Sequence, residues 1–248
     1  MHIKDAQLFK EIMALVEEYL SARANAQNVI KYSRYFKEGY NAWGASSEDV
    51  QAAFSLVQEQ CTSLSLDKLI ELGKLMFLHG KYEMGSLAIL LMEKRYKEYD
   101  KGTFAGIKQW FDFGVGNWGH SDHLCTTVCP TFLTRDIVGI DDFLPWRDAE
   151  SRWTRRAAPV TFIKIKKEAD PQKLLDFVRP LMTDCERVVH QGTGWFLREL
   201  WKVHPQKVED FLYEYRNSAA RLIIQYATEK LSKEERLRFR KDKLGTDK

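Results

Sequence analysis

The chain has 248 residues, 44% hydrophobic and 29% charged, which is the make-up of a folded globular protein with enough length for a conventional core. Its formal charge of +3 is weakly basic, permitting nucleic acid as a partner without pointing to it. No apolar run approaches the ~20 residues of a bilayer span, the longest lying around Leu87 to Met92, and no basic-then-apolar leader follows Met1; a cytoplasmic protein without membrane contact is expected.

Apolar residues recur at helical spacing along nearly the whole chain. Leu8, Ile12, Leu15, Val16 and Tyr19 form a first stripe. Ser46, Ser47, Glu48 and Asp49 put hydroxyls ahead of acids, a helix start that leads into Val50, Phe54 and Val57. Gly80, Gly102 and Gly139 sit between periodic segments and read as connections. Asp170 before Pro171, and His204 before Pro205, place a cap ahead of a first-turn proline. The stripes that follow or adjoin them are Leu174, Leu175, Val178 and Leu181, then Val208, Phe211, Leu212 and Tyr215, then Ala220, Ile223, Ile224 and Ala227. No stretch keeps the two-residue alternation of a strand. About a dozen helices joined by short turns predict an all-α solenoid of stacked helix pairs. No linker rich in Gly, Ser or Pro divides the chain, so a single domain is expected, with a charged tail from Ser232 that ends as a frayed, solvated helix. Cys61, Cys125, Cys129 and Cys185 show no framework spacing and are expected as buried or free thiols.

Three clusters could carry chemistry. Trp118 and Asp122 stand four apart in an Asn-Trp-Gly-His-Ser-Asp string, one helical turn from each other. A carboxylate beside a large ring can stabilise a developing cation; the plain alternative is a core tryptophan and a capping aspartate. Arg155 and Arg156 follow Trp153, and adjacent arginines point about 100° apart on a helix, so one can meet a phosphate while the other turns inward. The alternative there is a solvated basic face. Gly192 and Gly194 lie in an otherwise helical run ending in Trp195, Leu197, Arg198 and Glu199. Two glycines inside a helix, at about 1 kcal/mol each, mark a close approach by a ligand or by another helix.

Taken together these clusters resemble the AlkD-type DNA alkylation repair family, glycosylases built from HEAT-like helical repeats. The family's Trp-x-x-x-Asp motif is matched by Trp118 and Asp122, its Trp-x-x-Arg with small residues by Trp153, Arg156, Ala157 and Ala158. Its Gly-Trp-x-Leu-Arg-Glu helix is matched by Gly194, Trp195, Leu197, Arg198 and Glu199, and an N-terminal Arg-Tyr-x-Lys string by Arg34, Tyr35 and Lys37, leading to Tyr40 and Gly44. Gln191, Gly192 and Thr193 depart from the family's common form.

The resemblance implies a HEAT-like repeat fold and a monomer that hydrolyses the N-glycosidic bond of purines alkylated at N3 or N7 in double-stranded DNA, without cofactor or metal. It implies that Asp122 stabilises the sugar cation and positions water, that Trp118 and Trp195 pack against the lesion, and that Arg156 holds a phosphate or braces Asp122. Tyr35, Arg34, Arg155 and Arg198 are then the candidate DNA-binding residues. Two other readings stay open: a non-catalytic HEAT-like module for branched or distorted DNA or a protein partner, and a metal site among His120, Asp122, His123, Cys125 and Cys129, whose spacing matches no closed zinc pattern.

Overall fold

The computed structural model describes residues 3–242. They form α-helices and short 3-10 turns, with no strand among the described residues. The chain divides into two compact units at Val138 and Gly139.

The first unit holds α1 (Ile3–Ser21), α2 (Ala26–Ser33), α3 (Ser47–Thr62), α4 (Leu66–His79), α5 (Tyr82–Glu93), α6 (Lys101–Phe113), α7 (Trp118–Thr127) and α8 (Cys129–Thr134). Helices two apart in the chain lie side by side: α1 with α3, α3 with α5, α5 with α7, and α4 with α6. That spacing is what stacking of helix pairs produces. The buried stripe of α1 is Phe9, Ile12, Val16 and Leu20, whereas Leu15 is 36% exposed, so the helix is turned from the phase expected for it. The start of α3 is as expected: Ser46 Oγ accepts the Asp49 N–H at 3.1 Å and Asp49 returns a bond to the Ser46 N–H at 3.1 Å. Gly80 ends α4 at φ +83°, where a side chain would be strained. Gly102, expected as a connection, lies instead in the first turn of α6, which Asp100 caps.

The second unit holds α9 (Leu144–Arg147), α10 (Arg152–Phe162), α11 (Pro171–Val178), α12 (Arg187–Trp201), α13 (Pro205–Glu214), α14 (Arg221–Ala227) and α15 (Lys233–Leu237). Here α12 is central and packs against α10, α13 and α14. Asp170 caps α11 ahead of Pro171, and Pro205 opens α13 after His204, both as expected. The tail differs from expectation. No residue of α15 is buried, but Phe239 beyond it is 1% exposed and meets the Trp201 ring edge-on at 5.7 Å. The last part of the expected tail, residues 243–248, lies outside the described residues. All four cysteines are free thiols, with Cys61, Cys125 and Cys129 buried and Cys185 exposed.

What sets the start of α7 is a buried histidine. Asn117 caps the helix by accepting the His120 N–H at 2.9 Å, and its amide nitrogen donates to His120 Nδ1 at 3.0 Å. His120 Nε2 lies 2.8 Å from the Tyr82 carbonyl. These partners assign the neutral imidazole with its proton on Nε2. The ring fits because Gly85 of α5 faces it: a Cβ there would stand 2.5 Å from Cε1. Burial pushes the His120 pKa down to about 4. An unfolded histidine titrates near 6.5, so the unfolded chain binds the extra proton first as pH falls. Stability from this group is therefore full above about pH 6.5 and is lost as pH drops towards 4, by on the order of 3 kcal/mol. Urea midpoints measured between pH 7 and pH 4 are expected to fall over that window, and His120→Gln is expected to flatten that part of the slope.

Candidate active site

In the first unit, α7 carries Trp118 and, one turn on, the half-buried Asp122. Trp118 is 41% exposed, yet its ring is fixed. The indole N–H donates to the Tyr35 carbonyl at 3.0 Å, and one face stacks on Phe36 with centroids 5.3 Å apart. Behind Phe36 the rings continue: Tyr40 stacks on it at 4.6 Å, Tyr82 meets it edge-on, and Tyr82 stacks on His120 at 4.4 Å. Trp118 is thus the outer end of an aromatic column rooted in the core. Burial first, and then the negative charge of Glu83, raise the Tyr40 hydroxyl pKa well above its usual value, so it stays neutral. Arg34 and Tyr35 are exposed beside this end, with Arg34 donating to the Tyr35 hydroxyl at 2.8 Å and lying over its ring. The structure therefore brings together Arg34, Tyr35 and Trp118, all named from sequence, with Phe36 and Tyr82, which were not. The run of aromatics at Tyr32, Tyr35, Phe36 and Tyr40 was the available signal for Phe36, and no motif marked Tyr82.

In the second unit, Arg156 of α10 is buried and donates to the Val188 carbonyl at 2.7 Å. Its stem lies against Gly192 of α12, where a Cβ would stand 2.8 Å from Arg156 Cγ. Gly194 faces α14, and a Cβ there would stand 2.5 Å from Tyr226 Cβ. Both glycines serve close helix packing, one of the two readings left open by the sequence. Gln191 donates to the Tyr226 hydroxyl at 2.8 Å, on the same side of α12 as the half-buried Trp195.

The two remaining arginines have structural partners. Arg155 grips Asp184 through Nε at 2.6 Å and Nη2 at 3.3 Å, and also donates to the Ala149 and Glu150 carbonyls. The Asp184 hydrogen bonds hold the Arg155 pKa above even its usual high value. Arg198 pairs with Glu229 and lies 3.9 Å from Glu199. Of the groups weighed as metal ligands, His120 spends both ring nitrogens on Asn117 and Tyr82, and His123 pairs with Glu93 at 2.9 Å. No cluster of three such ligands occurs among the described residues.

An exposed, immobilised indole with a carboxylate one turn away suits a reaction that builds positive charge. Comparison with known proteins places the chain in a family. The family model described as DNA alkylation repair enzyme matches residues 16–231. Among solved structures, a predicted DNA alkylation repair enzyme from Enterococcus faecalis superposes with a TM-score of 0.72 at 19% identity, over 85% of this chain and 98% of that one. AlkD2 from Streptococcus mutans gives 0.54 at 18% identity, over 84% and 99%. Curated proteins yield no match. The fold is the all-α, HEAT-like helical repeat that the sequence predicts, and the chain belongs to the DNA alkylation repair enzyme family.

Proposed function

We propose that this protein is a DNA glycosylase that hydrolyses the N-glycosidic bond of N3- or N7-alkylated purines in duplex DNA. The observation that carries the reading is Trp118: a large ring 41% exposed, yet held by a hydrogen bond and a stack, one turn from Asp122. A ring already held in place offers a ligand a rigid wall at no further ordering cost. Family membership supplies the repair role; the bond broken is our reading.

Alkylation at N3 or N7 makes the base a cation and hence a good leaving group. The bond from C1′ to the base nitrogen breaks, its electron pair neutralises the departing base, and the sugar becomes an oxocarbenium-like cation. Water adds to C1′ and gives up a proton. In this scheme the Asp122 carboxylate stabilises the cation and orients or deprotonates the water. The open face of Trp118 packs on the lesion sugar and adds cation–π attraction. Trp195 would offer a ring to the DNA from α12, and Arg156, buried and bonded to the Val188 carbonyl, would hold a backbone phosphate only by giving up that bond. Arg34 and Tyr35 are the proposed backbone contacts of the first unit. Arg155 and Arg198 would join them only by exchanging a carboxylate partner for a phosphate.

With duplex DNA carrying one N7-methylguanine, single-turnover release of the base is expected from the wild type, falling by about 100-fold in Asp122→Asn with duplex affinity kept. Tight binding without release above the spontaneous rate would sink the glycosylase reading and leave a DNA-binding helical-repeat module. A second variant tests Arg156 without altering it. Gly192→Ala forces the Arg156 stem aside, and release is expected to drop by about ten-fold at unchanged far-UV dichroism. Release at the wild-type rate would remove Arg156 from the proposed machinery.

A further inference from the structure

Glu83 is not among the residues given a role above, although it is 2% exposed in the first turn of α5. A buried carboxylate needs donors to offset its lost hydration. Three successive backbone amides supply them. Oε2 accepts the Trp43 N–H at 3.1 Å, and Oε1 accepts those of Gly44 at 2.7 Å and Ala45 at 3.2 Å. Consecutive N–H groups turned onto one anion make a nest, and the helix N-terminus adds to the field that favours negative charge there. Gly44 makes the turn possible with φ at +80°, and a Cβ there would stand 2.3 Å from the Asn25 carbonyl oxygen.

These amides end a strap, residues 34–46, that runs from α2 to α3. The strap's other end is what touches Trp118: the Tyr35 carbonyl takes the indole N–H, and Phe36 covers one face of the ring. Between the two ends, Tyr40 stacks on Phe36, and Tyr82, the neighbour of Glu83, contacts both of those rings. A second tie joins the Asn41 carbonyl to the Tyr82 N–H at 2.8 Å. The rest of the strap from Arg34 to Asn41, apart from Phe36 and Tyr40, is exposed and contributes no core packing.

We infer that Glu83 is a positioning residue for Trp118, acting through the strap it anchors at residues 43–45. The consequence for catalysis rests on the glycosylase reading; the mechanical link does not. A carboxylate accepts only, so it suits three donors, whereas an amide at the same place turns its own N–H2 towards one of them.

The test is Glu83→Gln, read on Trp118 alone as the difference between each protein and its Trp118→Phe counterpart. The Trp118 emission is expected to shift to the red and its acrylamide quenching to rise. Single-turnover base release is expected to fall about ten-fold, with the duplex Kd held within about three-fold. Phe36→Ala cuts the link from the strap side, and the same red shift is expected there. An unchanged Trp118 signal in a folded Glu83→Gln protein overturns the inference. Should that variant not fold, hydrogen exchange on the wild type decides: the Trp43, Gly44 and Ala45 amides are expected to exchange far more slowly than those of Lys37 and Glu38, and equally fast exchange overturns it. If the wild type releases no base, the glycosylase reading fails while the optical comparison still decides on Glu83.

Discussion

A large side chain comes closest to the backbone of a neighbouring helix where that backbone lacks a β-carbon, and both units contain such entries. Gly73 of α4 admits the Trp110 ring, to which a Cβ would come within 2.1 Å. Gly85 of α5 admits His120, and Gly192 of α12 admits the stem of Arg156. Each entry turns a helix contact into a socket with one permitted occupant. The site elements inherit their positions from these sockets: α7 begins where His120 is seated, and Arg156 points where Gly192 leaves room. Packing at interior density leaves little slack for either to shift.

Polar groups in these sockets are satisfied by geometry as well as by number. His120 meets the Asn117 amide donor at Nδ1 and the Tyr82 carbonyl and Ser86 hydroxyl at Nε2, which selects a single tautomer and fixes the ring plane on which Tyr82 stacks. Glu83 meets three donors and no competing acceptor in that set. Arg155 spans the turns ahead of α10 and α12 by gripping Asp184 and two carbonyls at once. Buried polar networks of this kind specify one arrangement because any alternative leaves a donor or acceptor unmet.

Local signals were readable in the sequence wherever the chemistry was local. The Ser46 and Asp49 box, the Asp170 and Pro171 cap and the helical stripes of α11, α13 and α14 depend on residues a few positions apart, and they appear as expected. The phase of α1 was misread because Leu15 and Phe9 are equally apolar, and only the packing partner decides which turns inward. Gly102 was misread because a glycine near a helix start looks the same as one between helices. At the site, Trp118, Asp122, Arg34 and Tyr35 could be named from motifs, but Glu83 could not. Its donors lie about forty residues away and are backbone amides, which carry no side-chain signature. Gly192 could be flagged as costly, yet its partner, Arg156, is visible only once α10 and α12 are side by side.

The aromatic column also has a thermodynamic side. A free surface tryptophan loses rotameric freedom when a ligand clamps it, at about 0.5–1.5 kcal/mol for each side chain so immobilised. Trp118 has already lost that freedom on folding, because Tyr35 holds its N–H and Phe36 its face. Any partner that lands on the open face therefore meets a surface whose ordering entropy was spent before the encounter. Selectivity at that face then lies in shape and charge alone, since a ring that cannot swing cannot adapt itself to a poorly fitting guest.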